Sequence, residues 1–210
     1  NLDLAPVADV VPAKHAEQNQ PIGRYDREFG HTPAVVGPHV AAFVRGMHAA
    51  GEAVTVKHYP GLGRATGNTD LSSHVTDPTT RHDHYLGPFT AGVAAGAEFL
   101  MVSSAAYLNI DGHRPACFSR TIMHAMARHD LKFGGVVISD DLGTSALAHV
   151  PLGARATRFF NAGGTMLLDT SIGQVPTMIR AVLAKQQSNK TFAARVKNAV
   201  LTVLATKAAA

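Results

Sequence analysis

Two short runs concentrate the side chains that could do chemistry. In Lys57-His58-Tyr59-Pro60-Gly61-Leu62-Gly63 a cation and an imidazole stand side by side, and a Pro-Gly-x-Gly turn follows at once. Such a turn fixes the backbone, so both side chains are expected at one mouth, where they would donate to the hydroxyls of a ligand. A salt-bridged lysine beside a hydrogen-bonded core histidine is the plainer alternative. In Ser139-Asp140-Asp141-Leu142 two carboxylates are adjacent. If a strand runs through them they point in opposite directions, so that one faces a site and the other its flank. Retaining glycoside hydrolysis needs a carboxylate nucleophile about 5 Å from a proton donor. A helix-capping aspartate after a strand is the competing role. Of the 12 histidines, the densest cluster is Arg81-His82-Asp83-His84, and it lacks a matching third ligand, so no metal site is expected. Gly61-Leu62-Gly63 lacks the spacing and the Lys-Ser/Thr of a phosphate loop. No cofactor is expected.

The elements that must position these groups alternate along the chain. Apolar runs at 2–11, 53–58, 98–103, 134–139 and 164–169 are short and mostly continuous, as in parallel strands buried on both faces. Helical patterns lie between or after them at 39–50, 86–95, from a Ser119 cap through Met126, at 154–162, 176–185 and 191–206. Glycines 51, 96, 134 and 163 stand at helix-to-strand junctions. This repetition predicts an α/β fold with a parallel sheet, either doubly wound or a (β/α)8 TIM barrel, and in both the site lies at the C-terminal strand ends. The polar residues ending the five runs are Asp9, Lys57-His58, Ser103-Ser104, Asp140-Asp141 and Asp169.

Bulk properties narrow the classes. With 210 residues, 46% hydrophobic and 16% charged, one domain spanning 1–210 is expected, and a disordered chain is not. The formal charge is +4, but the cations are scattered, and there are no Trp and only 6% aromatics. A nucleic-acid surface is therefore not expected. The single Cys117 excludes an intrachain disulfide and reads as a small buried apolar side chain. No apolar run reaches the ~18 residues of a membrane span. The chain opens on Asn1-Leu2-Asp3-Leu4-Ala5-Pro6-Val7, in mid-strand and without an initiator Met, so an N-terminal part is expected to be missing.

Several blocks, in order, resemble glycoside hydrolase family 3 and its bacterial β-N-acetylglucosaminidase branch. They are Asp3-Leu4-Ala5-Pro6-Val7-Ala8-Asp9-Val10, Ile22-Gly23 with Asp26-Arg27-Glu28-Phe29-Gly30, Lys57-His58-Tyr59-Pro60-Gly61-x-Gly63, Pro115-Ala116-Cys117-Phe118-Ser119 and Ser139-Asp140-Asp141-Leu142. Gly61-Leu62-Gly63-Arg64 and Gly67-Asn68-Thr69-Asp70 are similar to actinobacterial envelope lipoproteins of this family. The resemblance implies a (β/α)8 barrel, of which about five of eight β/α units lie in this chain, acting on terminal N-acetylglucosamine through a covalent glycosyl-enzyme intermediate and without metal.

The resemblance also implies roles. Asp140 falls on the nucleophile, Arg27 on a substrate-binding arginine, and Lys57 and His58 on the substrate-binding pair, with Asp9 placed in the same site. In this branch the proton donor is a His in an Asp-x-His triplet. At that spacing the chain has Asn68-Thr69-Asp70, with His74 four residues later, so the donor is left between Asp70 and His74. The expected partner is a carbohydrate from the cell wall, and the expected location is the cell envelope or outside the cytoplasm. Self-association is left open, since another copy would be one way to complete a five-eighths barrel. A non-catalytic or weakly active carbohydrate-binding protein, a β-glucosidase of the same family, and a transferase or phosphorylase variant stand as alternatives.

Overall fold

The computed structural model describes residues 1–14 and 16–209. Five strands, β1 (Leu2–Asp3), β2 (Ala53–Tyr59), β3 (Phe99–Val102), β4 (Val136–Asp141) and β5 (Met166–Leu168), pair in parallel in the order β1-β2-β3-β4-β5. Each of the five expected runs contributes one strand. The first is the least regular. The run 2–11 was expected to be one strand, but only Leu2–Asp3 is regular. The ladder nonetheless goes on, with Thr55 N donating to Ala5 O at 2.9 Å, Lys57 N to Pro6 O at 3.1 Å and Ala8 N to Lys57 O at 2.6 Å. Pro6 has no N–H to give, which breaks the regular pattern at that point.

Helices flank the sheet. They are α1 (Pro33–Ala49), α2 (Gly87–Ala94), the single-turn α3 (Leu108–Asp111), a π-helix (Thr121–Asp130), α4 (Leu152–Ala162), α5 (Val175–Ser188) and α6 (Lys190–Ala209). The first begins six residues before the expected His39. Pro33 sits in its first turn, where a missing N–H costs nothing, and Pro38 one turn later. Ser119 does cap the helix after it, since its Oγ accepts Ile122 N at 3.1 Å.

The strands are apolar on both faces, and the two faces feed different clusters. Val54, Val56, Leu100, Val102 and Val137 pack under the helices with Val40, Val44, Phe89, Met123 and Phe159. Ala53, Phe99, Met101, Val136 and Ile138 form a second cluster on the opposite face, with Leu2, Leu4, Met166, Leu168 and Val203 of α6 against it. This second cluster is what the inner layer of a barrel requires. Cys117 is fully buried, and burial pushes its thiol up to about 12. Among the described residues no helix is long and apolar enough to cross a membrane, and no group of three His, Cys, Asp or Glu is placed to hold a metal ion.

Candidate active site

The C-terminal ends of β2 and β4 and the loops after them build the site. β2 delivers Lys57 and His58, and the peptide bond between them is cis. His58 is buried, and its Nδ1 lies 2.7 Å from Oδ2 of Asp9, which is itself fully buried. The same carboxylate accepts His58 N at 3.3 Å through Oδ2 and Leu62 N at 2.7 Å through Oδ1. Asp9 is therefore engaged by the histidine and by the Pro-Gly-x-Gly turn. A carboxylate on Nδ1 fixes the ring and directs Nε2 outward. Gly63 lets the turn lie against the Asp9 segment, because a Cβ there would come within 1.9 Å of Val10 O.

β4 delivers the two aspartates, and they do divide. Asp141 accepts Gly143 N at 2.8 Å and Thr170 N at 3.1 Å through Oδ1, and Thr170 Oγ1 at 2.6 Å through Oδ2. It ties the loop after β4 to the loop after β5. Asp140 is half-buried, and among the described residues its carboxylate takes one hydrogen bond, from Asp141 N at 2.9 Å. Burial holds its pKa above the ordinary carboxylate value. The charges of His58 and Lys57 pull it down, and the charge of Asp70 pushes it up. The Lys57 ammonium is lowered, first by burial and then by the charge of Arg27, while Asp140, Asp9 and Asp3 oppose the shift. Arg27 is exposed and donates from Nη1 to Pro21 O at 2.6 Å.

The long loop between β2 and α2 brings Asp70 to this group. Thr69 O accepts the Thr144 hydroxyl and, at 2.9 Å, Ala146 N, so the loop is fastened to the segment that follows β4. Thr144 Oγ1 also lies 3.3 Å from Asp70 Oδ1. Asp70 is exposed, and its charge acts on Asp140. Farther along, the loop is braced by Asp77, which accepts Arg64 N at 3.0 Å, and by the ion pair of Arg64 with Asp83. Tyr107 OH donates to Gly61 O at 2.7 Å.

His74 is exposed and lines a small separate cleft with Ser104, His113 and His149. Ser103 Oγ accepts Ala105 N at 2.9 Å, which is a loop contact. Asp169 Oδ1 accepts Ser171 N at 2.8 Å, and its charge bears on the buried Arg155. The structure thus brings Lys57, His58 and Asp70 within electrostatic reach of Asp140 and Arg27 within reach of Lys57, with Asp9 behind His58. Thr144 was not singled out from the sequence. Its signal is only that of a threonine opening the 3-10 turn Ser145–Leu147.

Comparison with known proteins decides the lineage. The model of the Glycosyl hydrolase family 3 N terminal domain matches residues 1–206. The chain belongs to this family. It is 40% identical over 152 residues to a protein named β-hexosaminidase from Xylella fastidiosa strain M23, covering 71% of this chain and 43% of that one. The chain thus spans less than half the length of that curated relative. A crystal structure of the β-N-acetylhexosaminidase from Beutenbergia cavernae is 42% identical, with TM-score 0.96, over 99% of this chain and 63% of its own. A family 3 β-N-acetylglucosaminidase from Paenibacillus sp. FPU-7 is 26% identical, with TM-score 0.88, over 99% of this chain and 39% of its own. The five parallel strands and their helices are accordingly part of a family 3 β/α barrel.

Proposed function

We propose that the protein to which this family 3 chain belongs is a retaining glycosidase that removes terminal β-linked N-acetylglucosamine. The observation that carries the reading is the division of labour at the end of β4. Asp141 is spent on the loops, while the Asp140 carboxylate is left facing Lys57 and His58. In the first step Asp140 attacks the anomeric carbon, and the C–O bond to the leaving group breaks as a proton reaches that oxygen. In the second step water attacks the glycosyl ester, its proton passes back to the acid/base, and Asp140 is released. Asp70 is the acid/base this geometry favours, because its loop is latched beside β4 and its charge is felt at Asp140. His58, held by Asp9, and Lys57 and Arg27 supply donors for the sugar hydroxyls.

The names of the relatives support the hexosaminide as substrate. Saccharides derived from the cell wall, and a location in the envelope, are the natural setting for such an activity, and fractionation of cells carrying the full-length protein tests the location. The decisive experiment uses full-length protein, nitrophenyl N-acetylglucosaminide and nitrophenyl glucoside. Hydrolysis of the first, lost in Asp140→Ala, is expected. Absence of hydrolysis would leave a carbohydrate-binding protein, and preference for the glucoside would make it a β-glucosidase. Asp70→Asn is expected to slow turnover by about 10²–10⁴-fold. A larger loss in His74→Ala than in Asp70→Asn would transfer the proton donor to His74.

A further inference from the structure

A groove of about 540 Å³ runs between the segment ahead of the π-helix and α4, lined by His113, Arg114, Phe118, Arg120, His149 and Arg158 among others. A second of about 500 Å³ continues from it, sharing Arg120 and Asn161 and adding His124, Arg128 and Arg195. Among the described residues no Asp or Glu lines either groove. Every cation in them apart from histidine is an arginine, in a chain that is only +4 overall. Arg114 is paired with Asp111 at 3.2 Å, Arg128 is spent on the carbonyls of Phe133 and Gly135, and Arg195 is spent on Asn161. Arg120 and Arg158 are exposed and make no hydrogen bond or ion pair among the described residues.

An unpaired guanidinium is a planar fork of N–H donors, matched to phosphate oxygens, and several in one acid-free groove focus positive potential. The two grooves are lined by the 113–120 segment, the π-helix, α4, the 163–165 lead into β5, and α6. The upper end of the first shares His113, Pro115 and His149 with the cleft that holds His74. We infer that this groove is a binding site for a linear phosphate-bearing polymer, held by Arg120 and Arg158 and running toward the mouth of the barrel. It is separate from the catalytic groups, so it stands or falls independently of the hydrolytic reading.

The test titrates full-length protein with inorganic polyphosphate and follows binding by calorimetry at several salt concentrations. Arg120→Ala/Arg158→Ala is expected to weaken binding at least tenfold, and to shrink the slope of log affinity against log salt by about 1–2. Arg45→Ala/Arg180→Ala, which removes two exposed cations elsewhere, is expected to change affinity less than threefold. Hydrolysis of the nitrophenyl substrate should be the same in all three proteins, which also checks their folding. Equal losses in the two double variants would reduce the effect to net charge and overturn the site. Polyglutamate of matched charge binding as tightly would overturn the preference for phosphate. Binding to phosphatidylglycerol vesicles but not to polyphosphate would overturn the polymer in favour of a membrane surface.

Discussion

In the proposed mechanism Asp140 must do something its surroundings resist. A nucleophile must be ionised, yet burial favours the protonated form, and His58, the Asp141 N–H and Lys57 offset it. The rate therefore falls as pH drops through a pKa lying above the ordinary ~3.9. Lys57→Met removes a positive neighbour, so the acid limb of kcat is expected to move to higher pH, and a pH–rate profile checks the direction. An unchanged limb would mean that Lys57 does not bear on Asp140. The same resistance predicts that Asp140→Asn gains stability as it loses activity, with the thermal midpoint rising by about 2–4 °C. In the same proposal Asp9 acts through His58. Asp9→Asn keeps the shape but can offer an N–H to His58 Nδ1, which favours the other tautomer, and kcat is expected to fall about tenfold or more. A variant that raised KM alone would refute that assignment. The sequence marked Asp9 as a strand-end carboxylate but was silent on its partner, because the two residues stand 49 apart and meet only when the first segment lies beside β2.

Loops decide how these groups meet. The hold on Asp70 rests on Thr69 O, which the Thr144 hydroxyl and Ala146 N both approach. Thr144→Val removes one donor, expected to cost about 1 kcal/mol of stability and to lower kcat more than it changes KM. Kinetics beside a denaturant titration separates the two. Gly63 is a tighter constraint. Gly63→Ala must push the turn off Val10, and a loss of about 1–3 kcal/mol is expected in the same titration. Strands were legible because their apolar runs are continuous, and Ser119 was legible as a cap. The start of α1 was not, since two prolines inside it read locally as breaks. The bracing of the long loop by Arg64, Asp77 and Asp83 was illegible too, being made by contacts across 13–19 residues of irregular chain.

On the scale of the molecule, five β/α units present two edges. β1 and β5 each pair on one side only among the described residues, and the inner apolar cluster has α6 as its cover at one end. Unpaired edges invite pairing. The 210-residue polypeptide alone is expected to associate as its concentration rises, and sedimentation checks this; a monomer throughout would show that the edges are adequately shielded. The parallel α/β sheet was readable from the alternation of elements, and the barrel and the family from the blocks. What the two open edges face was not, because that depends on partners for strands the chain does not contain.

Cys117 offers a use of its own. The thiol sits in the 3-10 turn Ala116–Phe118, fully enclosed, with a pKa pushed up to about 12. A thiol reagent that attacks the thiolate meets neither the ionised sulfur nor a path to it while the fold is closed. The moment the segment opens, both return. With no other cysteine in these 210 residues to compete, the rate of labelling is a stopwatch for opening of the barrel wall, readable without denaturant and without substrate.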